Sequence, residues 1–117
     1  MPSFTRHTEA TILASLREVY GSGWENDTVK LTAVKIAIYS AWVNVKLRAA
    51  SPAAITATSH PTWADQLWYY NAMFLAGMHI APEGQAVALF ARMHEALLKD
   101  LREQRLAGEG TYSYDGP

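Results

Sequence analysis

Apolar residues recur along this chain at intervals of three and four, the spacing that keeps side chains on one face of an α-helix. The first such stretch places Ile12, Leu13, Leu16, Val19 and Tyr20 on one stripe. Thr8 stands where a helix needs its N-cap, and Gly21-Ser22-Gly23 ends it. A second stretch opens at Asn26-Asp27, both good capping residues, and runs to about Ala50. One of its faces carries Leu31, Val34, Ile38, Ala41, Trp42 and Val45; another carries Val29, Ala33, Ile36, Ser40, Val43 and Leu47. A helix apolar on more than one side is either central or touches a second subunit. At 1.5 Å per residue it spans roughly 33 Å, long for a small domain.

Residues 51–62 read as a loop, punctuated by Pro52 and Pro61 and free of Asp, Glu, Lys and Arg. Thr62 followed by Asp65 has the spacing of a capping box, which predicts a third helix from there to about Ala76, stopped by Gly77. Trp63, Leu67, Tyr70 and Phe74 share one of its faces and Trp68, Ala72 and Leu75 another, so this helix too is expected to be buried on several sides. Pro82-Glu83-Gly84 starts a fourth, with proline in its favoured first-turn place. Its stripe is Val87, Phe90, His94, Leu97 and Leu101, and Gly108 ends it. The expected fold is therefore all-α: a small four-helix domain (residues 1–108) with a long central helix. An extended C-terminal tail (109–117) follows as a docking arm bearing Tyr112 and Tyr114.

With 117 residues, half of them apolar and 18% charged, the chain suits one globular domain. Cysteine is absent, which excludes disulfides, thiolate zinc sites and cysteine nucleophiles. The polar start lacks the apolar core of a signal peptide. The most apolar stretch, 31–50, is broken by Lys35, Asn44, Lys46 and Arg48, so no membrane span and a soluble, cytosolic chain are expected. The net charge of −1 hides an uneven distribution. Between Thr28 and Ala64 stand Lys30, Lys35, Lys46 and Arg48 with no acid. Such a weak positive stripe fits a solvated or partner-facing helix better than the dense basic patch of a dedicated DNA binder.

The sequence carries no recognisable catalytic or metal-binding pattern. No histidine among His7, His60, His79 and His94 has a second one a helical turn away, and Pro82 separates His79 from Glu83. His94 reads as a half-buried histidine on an apolar stripe. Glu95–Lys99 and Lys99–Glu103 are helix-surface ion pairs, not facing carboxylates. No phosphate-binding glycine loop and no nucleophile turn occurs. Neither an enzyme nor a metal or cofactor is expected. The aromatics are the distinctive feature. Most fit core packing, but Trp68-Tyr69-Tyr70 must point three ways, which is hard for one four-helix monomer to bury.

The helix order, the central helix AVKIAIYSAWVNVKLRAA, the helix DQLWYYNAMFLAG and the end LLKDLREQRLAGEGTYSYDGP resemble the small head–tail connector (adaptor) proteins of tailed bacteriophages and related particles. The resemblance implies a non-enzymatic ring of identical subunits, commonly a dodecamer, between the portal protein and a tail or stopper protein. DNA passes through such a lumen without being read in sequence. It implies assembly in the host cytoplasm and residence in the virion neck. Trp68, Tyr69, Tyr112 and Tyr114 would then serve subunit or portal contacts, and Lys35, Lys46 and Arg48 a partner or lumen face. Many connectors have a shorter first helix and a more acidic channel face than this chain. Two other readings stay open: a small helical protein-binding module, regulator or antitoxin-like, acting as monomer or dimer; and a ligand-binding bundle, for which His94 and Asn71 are the available polar candidates.

Overall fold

Thr8 caps the first helix as expected: its hydroxyl accepts from the Thr11 N–H, and the Thr11 hydroxyl accepts from the Thr8 N–H. A computed structural model describes residues 5–48, 55–56 and 59–104. Within them the chain forms α1 (Glu9–Tyr20), a 3₁₀ turn (Gly23–Asn26), α2 (Thr28–Leu47), α3 (Thr62–Ile80) and α4 (Gln85–Gln104). The all-α, four-helix expectation holds for this part of the chain, and the boundary expected at residue 108 lies outside it. No described helix is long and apolar enough to cross a membrane.

Gly21 closes α1 at φ 79°, a left-handed conformation that costs glycine nothing. The chain then folds back so that buried Trp24 donates its indole N–H to the Gly21 carbonyl at 2.6 Å. Arg17 of α1 grips Glu25 through two hydrogen bonds, 2.8 and 2.9 Å, fixing the turn. Asp27 caps α2 by accepting from the Val29 and Lys30 N–H groups.

α3 is the centre of the molecule, packed against α2, α4 and α1. Its buried residues, among them Ala64, Leu67, Trp68, Ala72, Met73 and Ala76, lie on more than one side, as the two-faced pattern required. α2 meets it with Val34, Ala37, Ile38, Ala41 and Val45, and α4 with Phe90 and Leu101. Ile12 and Leu16 of α1 are fully buried in the same core. Each such aliphatic side chain contributes ~1.5–3 kcal/mol on burial.

Three local expectations are corrected. Thr62 does not cap α3: Pro61 holds the N-cap place, no side chain bonds there, and Asp65 turns inward instead. Gly77 does not end α3, which continues to Ile80. Gly77 is glycine because a β-carbon there would run into the Tyr20 hydroxyl and lie 2.8 Å from a Val87 methyl. The spacing marked a close approach, not a stop. α4 begins at Gln85, so Pro82 sits in the preceding turn, closed by the Gly84 N–H on the Ala81 carbonyl.

The close approach at Gly77 gives a direct test. Gly77→Val is expected to destabilise the fold by about 1–3 kcal/mol through overpacking, read as a lower denaturation midpoint with an unchanged slope. Val87→Ala in the same background should restore part of the loss.

Candidate functional site

Two features stand apart from ordinary core packing: a buried His–Asp–His cluster at one end of α3, and an outward apolar seam on α2.

The cluster joins three segments. His7 precedes α1, His60 precedes α3, and Asp65 lies in the first turn of α3. Both Asp65 oxygens are engaged. Oδ1 accepts from the His7 backbone N–H at 2.8 Å and lies 2.8 Å from His60 Nε2, while Oδ2 is 2.7 Å from His7 Nδ1. Burial pushes the Asp65 carboxyl up, but the bonds from His60 and His7 outweigh it and hold the group below the ordinary carboxylate range. His60 is fully buried, its ring centroid 5.2 Å from Trp42 and 6.1 Å from Trp68. Its Nδ1 faces the Thr56 carbonyl at 2.9 Å, and Thr56 and Ser59 exchange two backbone hydrogen bonds that fix this approach. Arg6 Nε donates to the His60 carbonyl at 2.8 Å, and His7 stacks on Tyr69 at 4.4 Å.

An aspartate orienting a histidine is the arrangement of a general base. His60 cannot fill that role: both ring nitrogens face oxygens of the chain itself, and no part of the ring is exposed. His7 is a third exposed, with Nδ1 committed to Asp65. Among the described residues no group of His, Asp and Glu has a metal site's arrangement. The cluster ties three segments of the chain together. It latches the segment before α1 to the start of α3, 58 residues away.

The seam on α2 has a different character. Of the large apolar side chains left exposed among the described residues, Val29 (79%), Ile36 (60%), Tyr39 (66%) and Leu47 (74%) all belong to α2. Of the two apolar faces read from the sequence, α2 buries Val34, Ile38, Ala41 and Val45 and turns the other outward. Beside that outward face runs an open groove of about 570 Å³, walled by Ala33, Ile36 and Ser40 of α2 and Phe74, Leu75 and Met78 of α3.

The residues singled out from sequence separate between these places. Trp68, expected at a contact surface, is a core residue, 4% exposed, its indole N–H donating to the Ile38 carbonyl at 3.0 Å. A central helix can bury what a peripheral one cannot. Tyr69 is half-buried between His7, Tyr70 and Phe90. Tyr112 and Tyr114 lie outside the described residues. Lys35 and Lys46, eleven residues apart, share one flank of the seam at ~100° per residue. Arg48 falls on the other side, against Leu98, Leu101 and Arg102 of α4, so the three cations do not form one face. Buried Asn71 accepts from the Asn44 side chain at 3.1 Å, which satisfies the oxygen within the fold. His94 is half-buried, and burial with nearby Arg48 pushes its pKa down against the opposing pull of Glu95.

No family model matches the chain, and no curated protein or solved structure is similar to it. Sequence reasoning missed the latch: His60 and Asp65, five apart across the helix start, were its local signal, while His7 had none.

Proposed function

We propose that this chain is a non-enzymatic, protein-contacting structural part, and in its specific form the subunit of a ring-shaped head–tail connector of a tailed bacteriophage. In that role it sits in the virion neck between portal and tail or stopper, with DNA passing through the lumen. The observation that carries the reading is the outward seam of α2. Four of the seven large apolar side chains exposed among the described residues lie on α2, including the three most exposed, and such a concentration on one helix supports a contact there. The order of helices, with a long two-faced helix early in the chain, supports the connector form.

One observation favours a second reading. A closed ring needs two unlike sticky surfaces on each subunit, and the described helices concentrate theirs on α2. A protein-binding module that acts as monomer or dimer needs only one.

Native mass by light scattering over a concentration series, with electron micrographs of any large species, separates the two. The connector predicts a ring-sized oligomer with a central hole. Monomer or dimer at every concentration would leave the binding module.

A further inference from the structure

We infer that the groove along α2 is a docking site for an amphipathic helix of another protein, one whose apolar stripe is flanked by acidic residues. The inference rests on the reading that this chain works by protein contact, and it names the partner's chemistry.

The spacing of the seam identifies a helix as the occupant. Val29, Ala33, Ile36, Ser40, Val43 and Leu47 follow one another at intervals of four, three, four, three and four. That is the two-per-heptad repeat by which one helix receives the side chains of another. α2 carries a second such series, Leu31, Val34, Ile38, Ala41 and Val45, and most of it is filled by the protein's own core. The first series has the same regularity and is only half covered: Val29, Ile36 and Leu47 are more than half exposed, while Ala33, Ser40 and Val43 are partly buried. Small residues at Ala33 and Ser40 leave room for an incoming side chain between Ile36 and the Phe74–Met78 wall of α3. This is the geometry of a helix laid in a groove.

The charge identifies the partner's flanks. α2 contains Lys30, Lys35 and Lys46 and no acid. The one acid of α3 is Asp65, consumed in the histidine latch. The groove is therefore bounded by one helix whose charge is purely positive and by another that carries no Lys or Arg and no solvent-facing acid, with exposed Lys35 and half-exposed Lys46 along the edge opposite α3. A second copy of α2 meets this surface with like charge and no acid. None of the other described helices presents an outward apolar series with acidic flanks: α1 exposes Val19 and α4 exposes Leu89, each alone. DNA would satisfy the lysines but would leave Val29, Ile36 and Leu47 against phosphates. An acid-flanked apolar helix satisfies both.

The test is titration of the full chain into a fluorescent synthetic peptide of three heptads, leucine at its apolar positions and glutamate at its flanks, held below its own self-association. Saturable binding is expected. It should weaken about tenfold or more in Ile36→Glu, about tenfold in Lys35→Glu/Lys46→Glu, and with rising salt. A matching peptide with lysine flanks should bind at least about tenfold more weakly. Both substituted sites are solvent-facing, so circular dichroism should show unchanged folding. Absence of binding, equal binding of both peptides, or binding unaffected by Ile36→Glu would overturn the inference. So would tight binding of a short duplex DNA that Ile36→Glu leaves intact, or a dimer that Ile36→Glu dissolves. A ring in solution without peptide binding sinks this inference and leaves the connector; peptide binding by a lasting monomer does the reverse.

Discussion

Asp65→Ala is expected to cost the fold about 3–5 kcal/mol, the range for breaking a buried hydrogen-bonded charge cluster by removing one partner. Asp65 is 3% exposed and takes bonds from His60, the His7 ring and the His7 backbone. Its removal leaves fully buried His60 with one nitrogen facing nothing, and it unfastens the segment before α1. Asp65→Asn keeps an acceptor for the His7 N–H and His60 and should cost clearly less. The difference between the two, read from urea unfolding, measures what the geometry contributes apart from the charge. Acidification should approach the same end. The folded pKa of Asp65 lies below its unfolded value of about 3.9, so its contribution is complete above that pH and is lost as pH falls through the folded value. His94 acts at an earlier stage. Its folded pKa is also depressed, so the unfolded chain takes a proton first and stability starts to fall below about pH 6.5. A two-stage acid decline is expected, and Asp65→Asn should shrink the lower stage, to which the Arg17-bound Glu25 also belongs, while leaving the upper one in place.

Trp68→Ala is expected to cost about 3–5 kcal/mol, by loss of a large buried ring and the cavity left behind. The indole fills the space between α2 and His60, its centroid 5.0 Å from Trp42 and 6.1 Å from His60, and its N–H reaches the Ile38 carbonyl. Trp68→Phe keeps part of the volume and loses the N–H bond, worth ~1 kcal/mol, so it should fall between wild type and alanine. Thermal melting of the three proteins checks the order. If Trp68 were a contact residue, Trp68→Ala would instead leave the monomer's stability near that of wild type and change only its association.

These two residues also mark where the sequence could be read and where it could not. The three-and-four spacing fixed all four helices, and the Thr8, Gly21 and Asp27 boundaries followed from side-chain capping and from glycine's freedom at positive φ. Asp65 was misread because Thr62-x-x-Asp65 has the form of a capping box. With Pro61 at the N-cap, the carboxylate is free to turn toward partners that lie outside its own helix. His7 is one of them, and nothing local in a chain records a contact 58 residues away. Gly77 carried the usual signal for an ending, but the Tyr20 ring needed that place, which only packing reveals. For α2 the pattern wrote both apolar faces plainly. Which face α3 would take depends on the fit of Val34, Ile38, Ala41 and Val45 against Trp68 and its neighbours, and that is decided between helices.

The central claim is that the chain acts through the outward seam of α2. Backbone amide shifts of the isotopically labelled protein, followed as the glutamate-flanked peptide is added, test it most directly. The account predicts perturbations confined to α2 between Val29 and Leu47 and to Phe74–His79 of α3. Perturbations centred on His7, His60 and Asp65, or along α4 from Arg92 to Arg102, would place the contact elsewhere and contradict it.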